Sequence, residues 1–393
     1  MPVFMTFIFL VVVSGVSFAL SAYTLSRLYE LLCSVSTQAA EIEMIGWLDQ
    51  ASGWWISAGV IVSYFMIGKV CPTRPLRWWG WISGLWMGYI SLLLFLAGPV
   101  HLVEWILFRL SVAQEYTSTL TALLTLGAVH LAMPLGVWGV VRTPRVCHLE
   151  VTSGRIGPSL NGFTILQLSD VHIGPTIGLG LIEDIHRRCL ELKPDLIVMT
   201  GDLVDGEPRY LGEEVMRFLE LKDMAPLGLY FITGNHEYIS GASPWVQFIQ
   251  DAGVTVLENQ HVTLTREDEH LHLIGVEDWD AHRFDPRRAP HLAQALRGIE
   301  ESQHFKLLLA HQPKAASEAS ERGVDLQLSG HTHAGQIFPF NYLIYLDQPY
   351  NQGRYQVGDL TLYVNAGTGY WGPPLRLGTR AEMTLVTLRA AER

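Results

Sequence analysis

Four long apolar runs in the first third of the chain constrain its fold more than any other feature. They cover residues 3–25, 51–68, 79–100 and 117–141, and each approaches the roughly 20 residues that a helix needs to cross the hydrocarbon of a bilayer. Nine of the twelve tryptophans lie before position 145, many near the ends of these runs, as in the aromatic belts of membrane proteins. We therefore predict a membrane domain over residues 1–145 with four transmembrane helices.

Two of these runs have an alternative interpretation. Run 51–68 is short enough for a buried soluble helix, although Trp54, Trp55 and Lys69 near its ends favour a membrane interface. Run 3–25 could be a signal peptide, because small residues lie near its end. However, no Lys or Arg precedes it to form a basic n-region, so we expect an uncleaved first helix.

The loops between the runs differ in positive charge, and this difference predicts the orientation. Lys69, Arg74 and Arg77 lie between the second and third runs, and Arg142 and Arg145 follow the fourth, whereas the other two loops carry one Arg each. Loops rich in Lys and Arg stay on the cytoplasmic side. We therefore expect a multi-pass membrane protein with both termini and the C-terminal domain in the cytoplasm.

Most of the charged residues lie after position 145, outside the apolar part of the chain. Only 17% of all residues are charged, against about 25% in soluble domains. Seven Lys/Arg and six Asp/Glu lie up to position 145, so 20 of the 27 basic and 32 of the 38 acidic residues follow, a formal net charge of −12. Because binding of nucleic acid needs basic residues to neutralise phosphates, we expect no nucleic-acid partner.

From about position 160 the pattern changes to short apolar runs of the length of buried strands. Eight such runs are found, at 163–168, 196–200, 229–233, 271–276, 307–310, 326–329, 362–365 and 383–388. Amphipathic helical stretches lie between several of them, at 179–192, 213–221, 245–252 and 290–297. This alternation predicts an α/β domain over residues 150–393. Because the later strands follow one another with fewer helices, we expect two packed mixed β-sheets flanked by helices.

Polar residues of the kinds that bind metals follow five of these predicted strands. The five segments are SDVH (169–172), TGDLVDG (200–206), GNHE (234–237), AHQ (310–312) and SGHTH (329–333). Strand carboxyl ends in an α/β sheet form the crevice in which ligands bind, so we expect the five segments to converge. One isolated Asp-x-His would mean little, since Asp often caps a helix; five segments in order are a specific signal.

The residue types in these segments suit a pair of transition-metal ions. Imidazole together with carboxylate favours Mn, Fe, Zn, Co or Ni, and one shared carboxylate lets two ions lie about 3.5–4 Å apart. The four cysteines are isolated in the sequence, which gives no indication of a thiolate zinc site or a disulfide framework. We therefore expect two divalent ions with open positions for water and substrate.

In these segments and their order, the chain resembles the calcineurin-like metallophosphoesterase superfamily over about residues 155–388. The segments GHTHAGQ and NAGTGYWGPPLRLG resemble its membrane-anchored branch, the YkuE- and YaeI-like phosphoesterases and transmembrane proteins with this domain. Ala334 departs from that branch, which often has Gly there. The resemblance implies ligands divided between two ions: Asp170, His172 and His333 on the first, Asn235, His311 and His331 on the second, and Asp202 bridging both. It implies that His236 is the catalytic histidine near the leaving group.

The resemblance also implies hydrolysis of a phosphodiester or pyrophosphate. Two cations sharing Asp202 would lower the pKa of a bridging water, and the resulting hydroxide would attack phosphorus in line. Tethering to a bilayer favours a lipid-linked substrate, either a phospholipid or a nucleotide-linked lipid. The alternative is a membrane sensor or scaffold that binds a phosphorylated ligand without turnover. Such a domain would be expected to lose a ligand or His236, and none is missing.

Five further residues are candidates for supporting roles, and three of them have two possible interpretations. Asp205 and Glu237 either orient a ligand histidine or are solvated loop carboxylates. Gln336, Trp371 and Arg376 belong to late segments that would shape the substrate pocket. Arg376 is either a phosphate contact or part of a surface salt bridge.

Overall fold

A computed structural model of the chain describes residues 59–60, 62–63, 74–111, 114–300 and 302–391. They fall into two units. The first unit comprises the described residues up to Trp138 together with Gly372–Leu375, and the second comprises Gly139–Trp371 and the described residues from Arg376 onward.

The first unit contains two long apolar helices, α1 (Arg74–Arg109) and α2 (Gln114–Val141), the last three residues of α2 belonging to the second unit. Segments Arg77–Arg109 and Leu120–Val141 are long and apolar enough to cross a membrane. Only 18% and 28% of their most apolar windows are buried, less than expected for core helices of a soluble protein. These helices coincide with the third and fourth predicted spans.

The other two predicted spans are not tested in the same way. Run 3–25 lies outside the described residues. Of run 51–68, only residues 59–60 and 62–63 are described, and all four are helical. Two candidate spans, and not the predicted four, are therefore present in the part of the chain that the structure describes.

Within the first unit, a segment distant in sequence packs against both helices. Gly88 of α1 and Gly136 of α2 lie against the side chain of Leu375, and a Cβ atom at Gly136 would come within 3.1 Å of it. Glycine at these two positions therefore provides the space that Leu375 occupies.

Twelve strands in the described part of the second unit form two mixed sheets. In chain order they are β1 (Arg145–Ser153), β2 (Thr164–Leu168), β3 (Leu196–Met199), β4 (Leu229–Phe231), β5 (Thr255–Val256), β6 (Gln260–Arg266), β7 (Glu269–Gly275), β8 (Phe305–Leu309), β9 (Leu326–Ser329), β10 (Gly353–Val357), β11 (Leu360–Val364) and β12 (Glu382–Ala390). The first sheet has the order β1-β12-β2-β3-β4-β5, and the second has the order β10-β11-β9-β8-β7-β6. Neighbours β2 to β5 are parallel, as are β7, β8, β9 and β11.

Seven α-helices accompany these strands among the described residues of the second unit. They are α3 (Leu179–Leu192), α4 (Pro208–Leu219), α5 (Asn235–Ser240), α6 (Ala242–Asp251), α7 (Leu292–Ala295), α8 (Ala316–Glu321) and α9 (Phe340–Leu343). In α3 the buried residues Ile182, Ile185 and Cys189 recur at helical spacing, so one face packs on the sheet. Helices α3, α4 and α6 pack on the first sheet, and α7 and α8 pack on the second.

The central strands are apolar on both faces because each sheet is covered on both sides. In β3, Leu196 and Val198 belong to the core between the sheets, whereas Ile197 and Met199 belong to the core beneath α3, α4 and α6. Successive strand side chains point to opposite faces, so a continuous apolar run fills two cores. The layer order is therefore helix, sheet, sheet, helix.

The structure confirms the predicted two mixed sheets flanked by helices. All eight predicted strands are present, as β2, β3, β4, β7, β8, β9, β11 and β12. Four strands were not predicted from sequence: β1, β5, β6 and β10. Exposed residues interrupt the apolar pattern of β1, β6 and β10, and β5 has only two residues. The predicted helix 290–297 is shorter, since α7 has four residues.

We predict that Phe305→Ala destabilises the second unit by about 3–5 kcal/mol. The Phe305 ring is fully buried between the two sheets, so truncation leaves a cavity. Urea unfolding of the purified chain, followed by circular dichroism, measures the change. Leu190→Ala is the matched control, because Leu190 is 62% exposed on α3 and its truncation should change stability by less than about 0.5 kcal/mol. Equal effects of the two variants would contradict the core placement.

Candidate metal centre

The predicted ligands lie directly after parallel strands of both sheets. In the first sheet, Asp170 and His172 follow β2, Asp202 follows β3, and Asn235 begins α5 after β4. In the second sheet, His311 follows β8, and His331 and His333 follow β9. The structure brings all seven of these side chains to one place, as expected for the carboxyl ends of parallel strands.

The first ligand cluster contains Asp170, His172 and His333. His172 Nε2 lies 3.1 Å from His333 Nε2, and His333 Nε2 lies 3.4 Å from Asp170 Oδ1. The backbone N–H of His331 donates to both oxygens of the Asp170 carboxylate at 3.0 Å, which fixes its position. These three side chains form a compact, buried set of nitrogen and oxygen atoms.

The second ligand cluster contains Asp202, His311 and His331, with Asn235 beside them. His311 Nε2 lies 3.2 Å from Asp202 Oδ2 and 3.2 Å from Asn235 Oδ1. His331 Nδ1 lies 3.0 Å from Asn235 Oδ1 and 3.3 Å from His311 Nε2.

Asp202 connects the two clusters. Its Oδ2 atom is 3.2 Å from His311 Nε2 on one side and 3.8 Å from His172 Nε2 on the other. Its second oxygen, Oδ1, accepts a hydrogen bond from the backbone N–H of His236 at 2.8 Å. Asp202 is therefore the carboxylate that both clusters share.

The hydrogen bonds of His311 show that this donor set fits a cation. His311 Nδ1 donates to the carbonyl oxygen of Thr200 at 2.7 Å, so a neutral ring presents a lone pair at Nε2. That lone pair faces oxygens of Asp202 and Asn235 at 3.2 Å each. Three acceptors that converge in a buried space repel one another unless a positive charge lies among them. A proton on His311 Nε2 meets this requirement, and so does a metal ion that replaces that proton.

Burial and the close approach of carboxylates and imidazoles also shift the pKa values of the groups in the site. Burial would lower the pKa of His311, but the Asp202 carboxylate raises it well above its usual value. Burial would likewise raise the pKa of Asp202, but the charges of His311 and His236 lower it well below normal. Burial and the nearby His311 charge lower the pKa of His331 to about 3. The site therefore favours positive charge beside Asp202 and keeps His331 as a neutral imidazole.

Five of the ligand residues adopt positive φ angles that non-glycine residues seldom adopt. They are Asp170 (52°), His172 (54°), Asp202 (56°), His331 (72°) and His333 (49°). Gly330 precedes His331, and a Cβ atom at Gly330 would overlap the side chains of Ser169 and Asp170. This concentration of uncommon backbone geometry is typical of a functional site that the surrounding structure holds in place.

Asp205 has a specific position in the site. Its Oδ1 accepts from His172 Nδ1 at 3.0 Å and from His236 Nδ1 at 2.6 Å. Burial would raise the pKa of Asp205, but the charges of these two histidines lower it well below its usual value. Asp205 therefore orients one proposed metal ligand and the predicted catalytic histidine through the same oxygen.

His236 and Glu237 also lie inside the site. Burial would lower the pKa of His236, but Asp202 and Asp205 raise it to about 9. Glu237 is fully buried and accepts from the backbone N–H groups of Asp202, Leu203 and Gly234 at 2.9, 2.7 and 2.6 Å. Glu237 therefore joins the loops that follow β3 and β4, and is not a solvated carboxylate.

The structure corrects both interpretations of Arg376. Its side chain is buried and donates to the carbonyl oxygens of His333, Ala366 and Gly369 at 3.2, 2.7 and 2.8 Å. Burial lowers the pKa of Arg376 to about 10. Arg376 is therefore neither an exposed phosphate contact nor part of a surface salt bridge; it holds the loop that carries His333.

Gln336 and Trp371 form a pair at the edge of the site. Gln336 Nε2 donates to the Trp371 carbonyl oxygen at 2.8 Å, and the Trp371 N–H donates back to Gln336 Oε1 at 2.9 Å. The Trp371 ring is 43% exposed, and its centroid lies 5.6 Å from that of His236. Trp371 therefore lines the approach to His236.

Sequence reasoning missed Asp278, a buried carboxylate near the site. Its side chain accepts from Gln312 Nε2 at 3.3 Å, and burial raises its pKa to about 6. Gln312 directly follows His311 and supports the same loop. The available signal was weak: Asp278 comes soon after β7, a further strand of the parallel set, but in no segment of metal-ligand type.

The similarity of this chain to known proteins includes the residues that form the site. A model of the calcineurin-like phosphoesterase family matches residues 163–335, which include all seven predicted ligands and His236. A bovine (Bos taurus) "transmembrane protein with metallophosphoesterase domain" is 40% identical over 268 residues, 65% of this chain and 60% of that protein. The zebrafish (Danio rerio) protein of the same name is 34% identical, covering 84% of this chain and 78% of that protein. The metallophosphoesterase YkuE of Bacillus subtilis is 34% identical, over 65% of this chain and 91% of that protein. The match thus spans less than two thirds of the bovine relative.

We predict that Asp205→Asn lowers kcat by about 10- to 100-fold at saturating Mn²⁺ and weakens metal binding by about 10- to 100-fold. The amide removes the charge that orients both His172 and His236. Steady-state kinetics and metal titration measure the two effects separately.

Asp223→Asn is the matched control, because the Asp223 side chain is 73% exposed and pairs only with Lys222 among the described residues. This variant should change neither quantity. An Asp205→Asn variant with the kinetics and metal affinity of the control would contradict the positioning role.

Proposed function

Because the chain belongs to the calcineurin-like phosphoesterase family, we propose that it is a membrane-anchored hydrolase of phosphodiester or pyrophosphate bonds that uses two divalent metal ions. The observation that carries this proposal is the pair of ligand clusters that share Asp202 Oδ2. A single ligand cluster would hold one ion, whereas a carboxylate that lies between two clusters can contact two ions.

The ligand roles follow from which atoms lie together. Asp170, His172 and His333 would hold the first ion. Asn235, His311 and His331 would hold the second. Asp202 would contact both. Nitrogen and oxygen donors without thiolate suit Mn, Fe, Zn, Co or Ni.

When bound, the two cations would bring the pKa of water towards neutrality and offset the negative charge of the phosphoryl oxygens. Side chains of the protein would supply the proton for the departing oxygen. Asp205 fixes the Nδ1–H of His236, which leaves Nε2 as the ring nitrogen that can donate a proton. The Asp205 carboxylate, which is not a proposed metal ligand, also raises the pKa of His236 and so favours the protonated ring. The role of His236 is to protonate the departing oxygen as the phosphorus–oxygen bond breaks.

The membrane anchor extends this proposal. We take the anchor to be residues 1–145 with four helices, and the catalytic domain to be residues 150–393. The helices α1 and α2 and the names of the bovine and zebrafish relatives support an anchor. The loop charges support cytoplasmic termini and a cytoplasmic catalytic domain.

A lipid-linked substrate is the class that we favour, either a phospholipid or a nucleotide-linked lipid. A tethered domain meets lipid phosphoesters at a much higher local concentration than free metabolites. The competing sensor or scaffold function is less well supported, because all seven ligand side chains and His236 with its partner Asp205 are retained.

We predict that Asp202→Ala abolishes turnover and reduces bound metal, because both clusters lose their shared carboxylate. His236→Ala should retain metal and lower kcat by about 100-fold or more, the usual contribution of a positioned acid. Metal analysis of the purified chain, combined with hydrolysis of bis-p-nitrophenyl phosphate in Mn²⁺, measures both. If either variant kept near wild-type rates, the role given to that residue would be wrong.

We also predict that chelation with EDTA removes activity and that Mn²⁺ restores it. A substrate screen that includes lipids then tests the substrate class. A wild-type chain that binds two ions and hydrolyses neither bis-p-nitrophenyl phosphate nor any phospholipid would favour the sensor or scaffold function.

A further inference from the structure

An uncharged segment with apolar side chains in solvent follows the loop that carries His331 and His333. Residues 338–346 read FPFNYLIYL. All nine are described, and none of them is buried. Five large apolar side chains are about half exposed or more: Phe338 (53%), Tyr342 (65%), Leu343 (48%), Tyr345 (56%) and Leu346 (85%). We call residues 338–346 the apolar rim.

The apolar rim is attached to the metal centre by several backbone contacts. Gly335 has a φ of 75° and lies against the backbone of Asn341, so close that a Cβ atom would overlap it. Asn351 Nδ2 donates to the carbonyl oxygen of Asn341 at 3.3 Å, and Thr332 Oγ1 donates to the carbonyl oxygen of Asn351 at 2.5 Å. Thr332 lies between His331 and His333. The rim is therefore built onto the ligand loop itself.

The exposure of this rim is unusual for a folded domain. Single exposed apolar residues are common on proteins, but a cluster of them indicates a surface that contacts something apolar. The exposed Trp371 adds to the apolar character near the site. It is hydrogen-bonded to Gln336, which lies two residues before the start of the rim. Within the rim, the rings of Phe338 and Tyr342 stack edge to face, with centroids 6.1 Å apart.

We propose that the apolar rim contacts the phospholipid bilayer and presents lipid-linked phosphoesters to the metal centre; this inference rests on the proposed function. Phe, Tyr and Leu without charge are the composition of an interfacial segment, which enters the lipid by about 5–10 Å. Because the loop that carries His331 and His333 directly precedes the rim, a rim in the interface would bring that loop towards the lipid phosphate groups. The rim thus gives the site its lipid substrate class.

Other occupants fit these observations less well. The chain carries the apolar helices α1 and α2, and the membrane anchor proposed from them would tether the catalytic domain to a bilayer. The part of the chain after position 145 has a formal net charge of −12, so electrostatic attraction does not bring it to anionic lipid. An uncharged apolar contact is the remaining means of binding lipid directly. A second copy or a soluble partner is an outcome of the test below.

The first test uses two substrates with the same leaving group. One is soluble bis-p-nitrophenyl phosphate, and the other is the p-nitrophenyl ester of dioleoyl phosphatidic acid in phosphatidylcholine vesicles. The double variant Leu343→Asp/Leu346→Asp in the reconstituted full chain should lose at least about tenfold in kcat/KM on the lipid ester, equivalent to about 1.4 kcal/mol. It should stay within twofold of wild type on the soluble ester.

The matched control is Leu190→Asp/Met216→Asp. These side chains are 62% and 44% exposed on α3 and α4 of the same unit, and they belong neither to the rim nor to the metal centre. The control should match wild type on both substrates. Equal loss on both substrates by the rim variant, no loss on either, or the same lipid-specific loss in the control would each overturn the proposal.

A second test does not depend on activity. Benzoylphenylalanine replaces Leu346 in one variant and Leu190 in another, and the reconstituted proteins are irradiated. We expect lipid adducts at position 346 and not at position 190. Cross-linking of position 346 to a second copy, or to no lipid, would overturn the rim proposal. If lipid adducts form at position 346 but neither ester is hydrolysed by wild type with Mn²⁺, the proposed function fails while the surface stands.

Discussion

The rest of this structure depends on the Asp202 carboxylate and on the groups that hold it between two clusters. Its Oδ2 faces His311 at 3.2 Å and His172 at 3.8 Å, and its Oδ1 accepts the backbone N–H of His236. The backbone N–H of Asp202 in turn donates to Glu237. One residue thereby connects the ends of β2 and β3 in the first sheet with the end of β8 in the second. Displacing it would disturb both clusters and the predicted catalytic histidine together.

Collecting so many acceptor atoms in a buried space is unfavourable, and the fold compensates in two ways. The two-sided cores of the sheets hold the strand ends rigidly, so five ligand residues remain at positive φ. Buried side chains then satisfy the loops: Glu237 accepts three backbone N–H groups, and Arg376 donates to four backbone carbonyl oxygens. The facing atoms of His311, Asp202 and Asn235 still need a positive charge among them, which a proton on His311 or a bound cation would supply.

The loop after β9 would serve both the proposed metal binding and the proposed contact with lipid. The segment after β9 carries His331 and His333, then Gln336, which positions Trp371 next to His236, and then the exposed residues 338–346. A short stretch of chain therefore spans from the metal ligands to an apolar surface. This continuity is what supports the proposed link between a phosphoester reaction and a lipid environment.

The sequence by itself determined the α/β class, the central strands, the third and fourth apolar helices and the set of residues that meet at the site. It could do so because buried strands are continuous apolar runs, and because ligand types recur directly after them. Only the tertiary structure decided the roles of Asp205, Glu237, Arg376 and Asp278 and the exposure of the rim. Each of these depends on partners distant in sequence: Asp205 on His172 and His236, Arg376 on carbonyls of His333 and Ala366, Asp278 on Gln312. A local sequence pattern does not identify such partners, because their burial and hydrogen bonds arise only when the two sheets pack together.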